Sequence, residues 1–275
     1  MLTELKELIA YRDLIVQLVV RDLKVRYKNS VLGFFWSLLN PLVQVATITI
    51  VIKFVMRQDI PNYSAYVLAA FLPWMCFQMS VLDASDSISK HQDLVKKVYF
   101  PREVLPISLV LSNLIHLVLA YGVFFVYLVT IPRAPIYVTS LFLPVLMLIQ
   151  LFLNLGVAFF VSCMNVFYED TKYIVNVLLN VLFYLTPVMY LSEHVYRILP
   201  INNREMLFTI YQLNPLNALA IAYRKVLLHP FSGAGIVDIP LSWPLLGVAA
   251  GISILLAIFG YRFFNKRKWI FAEML

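Results

Sequence analysis

"VLPISLVLSNLIHLVLAYGVFFVYLVTIP", residues 104–132, lies between Glu103 and Arg133 and contains no Asp, Glu, Lys or Arg. At about 1.5 Å per residue, a helix of this length spans the roughly 30 Å hydrocarbon core of a bilayer. The stretch is therefore a candidate membrane crossing, and the same pattern recurs on both sides of it. Charge-free runs also occupy 29–52, 60–82, 134–168, 173–192 and 239–261, and each reaches about the 20 residues a spanning helix needs.

Hydrophobic residues make up 61% of the 275 and charged residues only 13%, too little polar surface to cover a water-soluble fold. The expected fold class is an all-α integral membrane protein with six transmembrane helices. A single domain is expected over 1–275, with an interfacial helix at 1–30, a six-span bundle at 31–264 and a cytoplasmic tail at 265–275. Another run, 206–223, is shorter and is interrupted by Asn214 and Pro215; proline lacks a donor and disrupts a helix interior. It reads as re-entrant outer helices between spans five and six. Cys76 and Cys163 fall inside predicted spans and read as packing residues. No signal peptide is read from the mixed residues before the first run, which would itself target the chain to the membrane.

Orientation follows from Lys and Arg. With the N-terminus cytoplasmic, segments 1–32, 83–103, 164–172 and the tail from Arg262 hold 15 of the 22 basic residues, and the short outer loops hold only Lys53, Arg57 and Arg133. Both termini are then cytoplasmic. The net charge of +7 reflects that asymmetry and contact with anionic lipid, not a nucleic-acid partner.

Ahead of the first run, Leu8, Tyr11, Ile15, Val19, Leu23 and Tyr27 recur at spacings of three or four, with Asp13, Gln17, Arg21, Lys24 and Lys28 opposite. This is an amphipathic helix suited to the cytoplasmic membrane surface. Pro41, Pro73 and Pro187 interrupt spans one, two and five, and Asn40 and Gln44 could bond to neighbouring helices. Span five carries Tyr173, Asn176, Asn180, Tyr184 and Pro187 along one face, and Gln150 and Asn154 do the same in span four. Such amides serve either as interhelical bonds or as a pathway lining. Within 193–238, Arg224 and Lys225 are expected near the headgroups.

No span interior holds an Asp, Glu, Lys or Arg, which argues against ion-coupled transport. No G-x-x-x-x-G-K-[ST] loop, H-E-x-x-H helix or G-x-S-x-G turn is present, so no catalytic residue, metal site or cofactor is expected on this chain. A conduit driven from outside fits these absences. The segment between the second and third runs, "KHQDLVKKVYFPREVLP" at 90–106, supplies a handle. A short helix ending before Pro101 would project Leu94, Val95, Val98, Tyr99 and Phe100 from a charged surround of Lys96, Lys97, Arg102 and Glu103. Apolar anchors within a polar rim make a protein-docking surface.

"RDLKVRYKNSVLGFFWSLLNPL" at 21–42, "FLPWMCF" at 71–77, "YFPREVLP" at 99–106, "TPVMY" at 186–190 and "NPL" at 214–216 resemble, in that order, the permeases of ABC-2 type polysaccharide exporters, such as those for O-antigen and wall teichoic acid. A departure occurs in "NVFYEDTKYIV", 165–175, where Glu169 stands at the position the family usually gives to arginine. The resemblance implies a homodimer in the bacterial plasma membrane, bound to two copies of an ATP-binding subunit that holds ATP and magnesium. The cargo would be an undecaprenyl-linked glycan or teichoic acid; a drug or small lipid is the alternative. It further implies that Leu94–Glu103 couple to the ATPase and that 193–230, with Asn214, Pro215, Arg224 and Lys225, form an outer gate. Trp36, Trp74, Phe77, Asn176, Asn180 and Tyr184 are the candidate path residues.

Overall fold

The computed structural model describes residues 7–27, 35–55, 57, 60, 62–131, 133–228 and 239–274, and every regular element among them is helical. In chain order these are α1 (Arg12–Tyr27), α2 (Phe35–Ile50, continued by a π turn to Val55), α3 (Tyr63–Ser85), α4 (Gln92–Lys97) and α5 (Val104–Thr130). There follow α6 (Leu143–Phe167), α7 (Thr171–Leu185), α8 (Ser192–Ile198), α9 (Arg204–Gln212), α10 (Pro215–Leu227), α11 (Trp243–Arg267) and α12 (Phe271–Met274). The first residues of the expected first span lie outside the described residues.

Four helices among the described residues are long and apolar enough to cross a membrane: Tyr63–Ser85, Val104–Thr130, Val138–Phe167 and Trp243–Ile270. Apolar helices also occupy the other two runs, but they are shorter, Leu39–Phe54 and Thr171–Leu185. The fifth run was expected to continue as helix through Pro187. Instead α7 ends at Leu185, and Thr186 is extended at ψ 137°. The cause is local, since proline removes a donor and pushes the residue before it out of the helical region. Pro41 and Pro73, by contrast, do lie inside helices.

Helix α3 is the hub. Its faces are buried against α5, α6, α10 and α2, and Ala65, Ala69 and Ala70 let neighbours approach while Phe71, Trp74 and Phe77 fill the space between. Asn154 on α6 donates to Ser80 Oγ on α3 (3.1 Å) and accepts from Gln150 (2.9 Å). Of the amides of span four, Asn154 therefore makes an interhelical bond, and Gln150 supports it from within α6. Among the described residues Asn40 and Gln44 make no bond to a neighbouring helix; Gln44 donates to Asn40 within its own helix (2.9 Å).

Helices α6 and α11 meet at two glycines. A Cβ on Gly156 would fall 2.5 Å from the carbonyl carbon of Leu256, and one on Gly260 would collide with the Gly156 carbonyl oxygen. Small residues at a membrane helix contact permit this backbone approach.

At the end where α3 stops and α5 starts, a separate apolar cluster gathers Leu8, Leu18, Ile88, Val95, Phe100, Phe159, Phe264 and Phe271. Helix α1 contributes Leu18 and Val19 to the buried interior and leaves Val16, Val20 and Val25 exposed. Its Arg26 donates to Asp83 Oδ2 (2.8 Å) and Asn113 Oδ1 (3.0 Å), tying the amphipathic helix to α3 and α5. The stretch expected as a cytoplasmic tail, 265–275, is folded over its described residues. Helix α11 runs on to Arg267, and residues 268–274 fold back onto this cluster.

Candidate functional site

The segment expected to dock a partner forms the short helix α4, which ends at Lys97, with Val98 extended beyond it. Its apolar residues divide between two jobs. Val95 and Phe100 are buried, at 4% and 7% exposure, whereas Val98 and Tyr99 stand out at 53% and 74%. The expectation that all five apolar residues project is thus corrected: Val95 and Phe100 anchor the segment in the cluster, and Val98 and Tyr99 form its tip. Pro101 and Glu103 are also buried, and Leu94 and Arg102 are partly so, while Lys96 and Lys97 are exposed. Buried Glu103 accepts from Lys268 Nζ (2.5 Å), and Arg102 donates to the Lys268 carbonyl. A helix this short gains little from its own hydrogen bonds. Its position is held by these tertiary contacts.

At the opposite end of the bundle, Asn214 caps α10 by accepting from the Leu216 amide (3.1 Å), and Pro215 opens the helix. This is where both residues are favoured. From there α10 packs into the bundle against α3, α6 and α11, with the Tyr223 ring stacked on Tyr121 at 5.7 Å. Arg224 is only 2% exposed, which corrects the headgroup placement. Its guanidinium donates to the carbonyls of Tyr66 (3.1 Å), Tyr190 (3.2 Å) and Val188 (2.6 Å) and lies 3.9 Å from the Tyr66 ring centroid. Lys225 pairs with Glu193 (2.7 Å), whose carboxylate also accepts from Ser192 and Tyr66. Burial alone would push the Glu193 carboxyl up. The adjacent Lys225 ammonium and the hydrogen bonds to Lys225 and Ser192 more than offset this and hold it below the usual carboxylate range.

These contacts solve a definite problem. The chain from Pro187 to Tyr190 has left α7 and not yet begun α8, so its carbonyls lack helical partners. Arg224 supplies donors to two of them. A planar fork of donors suits several fixed acceptors at once, which an ammonium on a flexible stem does not.

Along α7, Tyr173, Asn176, Asn180 and Tyr184 are all exposed in the isolated chain, together with Val177 and Val181. Neither asparagine side chain has a partner among the hydrogen bonds of the described residues. Trp74 and Phe77 lie elsewhere, buried in the core with Phe183, whose ring is 5.6 Å from Trp74. The Trp36 side chain lies outside the described residues.

Residues 13–228 match the ABC-2 type transporter family.

The chain belongs to the ABC-2 type transporter family.

It is 34% identical over 274 residues to the O-antigen export system permease protein RfbA of Myxococcus xanthus, covering 99% of both chains. It is 30% identical over 263 residues to the RfbA permease of Klebsiella pneumoniae, covering 96% of this chain and 95% of that one. Membership of the ABC-2 family implies an ABC ATP-binding partner.

Several residues escaped the sequence reading of this ABC-2 chain. Glu193, Lys268 and Arg26 each pair with a residue far along the chain. A charge interrupting an apolar stretch was the available signal, as at Arg224 and Lys225 inside "NPLNALAIAYRKVLLHP". A buried charge demands a partner, but the sequence does not say which acid answers.

Proposed function

We propose that this ABC-2 chain is the transmembrane permease of an exporter that moves a lipid-linked cell-surface polysaccharide of the O-antigen class across the bacterial plasma membrane. Its names for the cargo come from its relatives. What supports the mechanism is the mounting of Val98 and Tyr99, an exposed apolar tip on a segment anchored by Val95, Phe100 and the buried Glu103–Lys268 pair. The ATP-binding subunit holds the ATP and magnesium, and its movement reaches the bundle through residues 94–103. In this reading that end of the molecule and both termini are cytoplasmic, and α8–α10 form the outer gate, dipping back from the far side.

The same reading pairs two copies of the chain with two ATP-binding subunits. Asn176 and Asn180 support it. A bare amide facing lipid is unfavourable, because hydrocarbon offers no hydrogen bond. A second copy or a water-filled path between copies would satisfy both, with Tyr184 offering a ring to sugar faces. Asn176→Leu combined with Asn180→Leu is expected to leave membrane insertion and partner ATPase stimulation intact while cutting export severalfold. Surface glycan immunoblotting reads the result, and unchanged export would remove the stripe from the path.

The test of coupling separates tip from anchor. Tyr99→Ala removes a side chain that is largely exposed, so the permease should purify with normal stability but lose most stimulation of the partner's ATPase, about tenfold for an interface hot spot. Phe100→Ala should instead lower thermal stability by about 3 kcal/mol or more, as core truncations of aromatics do. A Tyr99→Ala permease that still stimulates and exports normally refutes the docking role.

A further inference from the structure

We propose that the C-terminal turn after α11 forms the second half of the docking surface, with Trp269 contacting the ATP-binding subunit alongside Val98 and Tyr99. This rests on the docking role proposed above and adds residues from the opposite end of the chain. The sequence ends in "NKRKWIFAEML", 265–275, in which the basic residues read as an ordinary flank of the last span. The fold gives the residues after them a specific place.

Three observations carry the inference. First, Val98, Tyr99 and Trp269 line one cleft with Glu7, Arg102 and Lys268, so the tail tryptophan and the coupling tip present a continuous surface. Trp269 is 67% exposed, close to Tyr99 at 74%. Second, the two segments are joined rigidly. Phe271 is fully buried, with its ring 5.2 Å from Phe264 and 6.2 Å from Phe167, and Lys268 clamps Glu103 while its carbonyl takes the Arg102 guanidinium. A force on either segment is therefore delivered to the ends of both α5 and α11.

Third, the polar groups around the cleft suit a protein and not a lipid surface. A segment that binds anionic headgroups is built from an excess of basic residues. Here Glu7 lines the cleft together with Arg102 and Lys268, and the adjoining helix α4 exposes Asp93 beside Lys96 and Lys97. An aromatic pair within a rim of both signs is the composition of a protein interface. Tryptophan and tyrosine also lead among residues whose truncation costs most binding.

The experiment uses the full chain co-expressed with its ATP-binding subunit and purified into nanodiscs. Trp269→Ala is expected to lower both the recovered ATP-binding subunit and the stimulated ATPase by about tenfold, with Trp269→Phe retaining most of each. A photo-crosslinking amino acid at 269 should capture the ATP-binding subunit. Tyr99→Ala is run in parallel as the reference. If Tyr99→Ala loses the partner while Trp269→Ala keeps it at the parental level, or if the crosslinker at 269 captures only lipid, the tail's role is overturned and the docking role of the tip stands. If neither substitution weakens the complex, both fall together.

Discussion

Replacing Arg224 with leucine should free the outer segment from the bundle. The substitution withdraws donors from the carbonyls of Tyr66, Val188 and Tyr190 and leaves those of Val188 and Tyr190, which lie outside any helix, with nothing in exchange. Each such orphan costs about 1–3 kcal/mol. The loss should be local before it is global, because α10 and the 186–191 stretch are what the guanidinium joins. Ala222 is fully buried on α10, so a cysteine placed there should resist a water-soluble maleimide in the parent and react at least tenfold faster beside Arg224→Leu. Arg224→Lys should fall between, since one ammonium cannot meet three fixed acceptors in a plane. Export should fall with the leucine variant. Equal maleimide rates in both backgrounds would show that Arg224 does not hold this segment.

Gly260→Leu should prevent correct assembly of the bundle altogether. The added Cβ meets the Gly156 carbonyl oxygen, which is backbone and cannot rotate away, so α6 and α11 must separate along their length. That separation breaks ring contacts such as Phe160–Phe263 at 4.9 Å and Phe159–Phe264 at 5.5 Å. Overpacking by itself costs about 1–3 kcal/mol and more where the backbone must shift; in membranes, helix association depends on such close packing. The expected result is little or no monodisperse protein on size exclusion in detergent. The internal control is Gly251→Ala, also on α11 but with nothing within 4 Å of the new Cβ. It should purify as the parent does and melt at the same temperature or slightly above, since alanine is the better helix former by about 1 kcal/mol. If Gly260→Leu behaves like Gly251→Ala, the close approach of the two helices is wrong.

Much of the architecture was legible from charge spacing. Each of the six charge-free runs holds an apolar helix, because in lipid the backbone must satisfy its own hydrogen bonds and an uncharged stretch has no cheaper option than a helix. The short helix before Pro101 and the α10 start at Asn214–Pro215 were legible for an equally local reason, the missing donor of proline and the capping side chain of asparagine. The length of α7 was misjudged because Pro187 was read as an interruption within the span, whereas the helix ends before it, at Leu185.

The segment between α3 and α5 shows where local reasoning stops. "LVKKVYFP" contains five apolar residues besides the proline, and nothing in their order distinguishes Val95 and Phe100, which face the core, from Val98 and Tyr99, which do not. The difference is made by Phe264 and Phe271, which arrive from the end of the chain to cover one side. Arg224 and Lys225 pose the same problem in charge: adjacent in sequence and both basic, they go to different acceptors, one to open carbonyls and one to Glu193. By itself the sequence determined that this is a helical membrane protein and where its apolar helices lie, since those follow from hydropathy and from backbone chemistry over a few residues. Only the tertiary structure decided which side of each segment is buried, which charge answers which, and that the chain's end stands beside Tyr99, because each of those depends on what packs across from a residue and not on its neighbours along the chain.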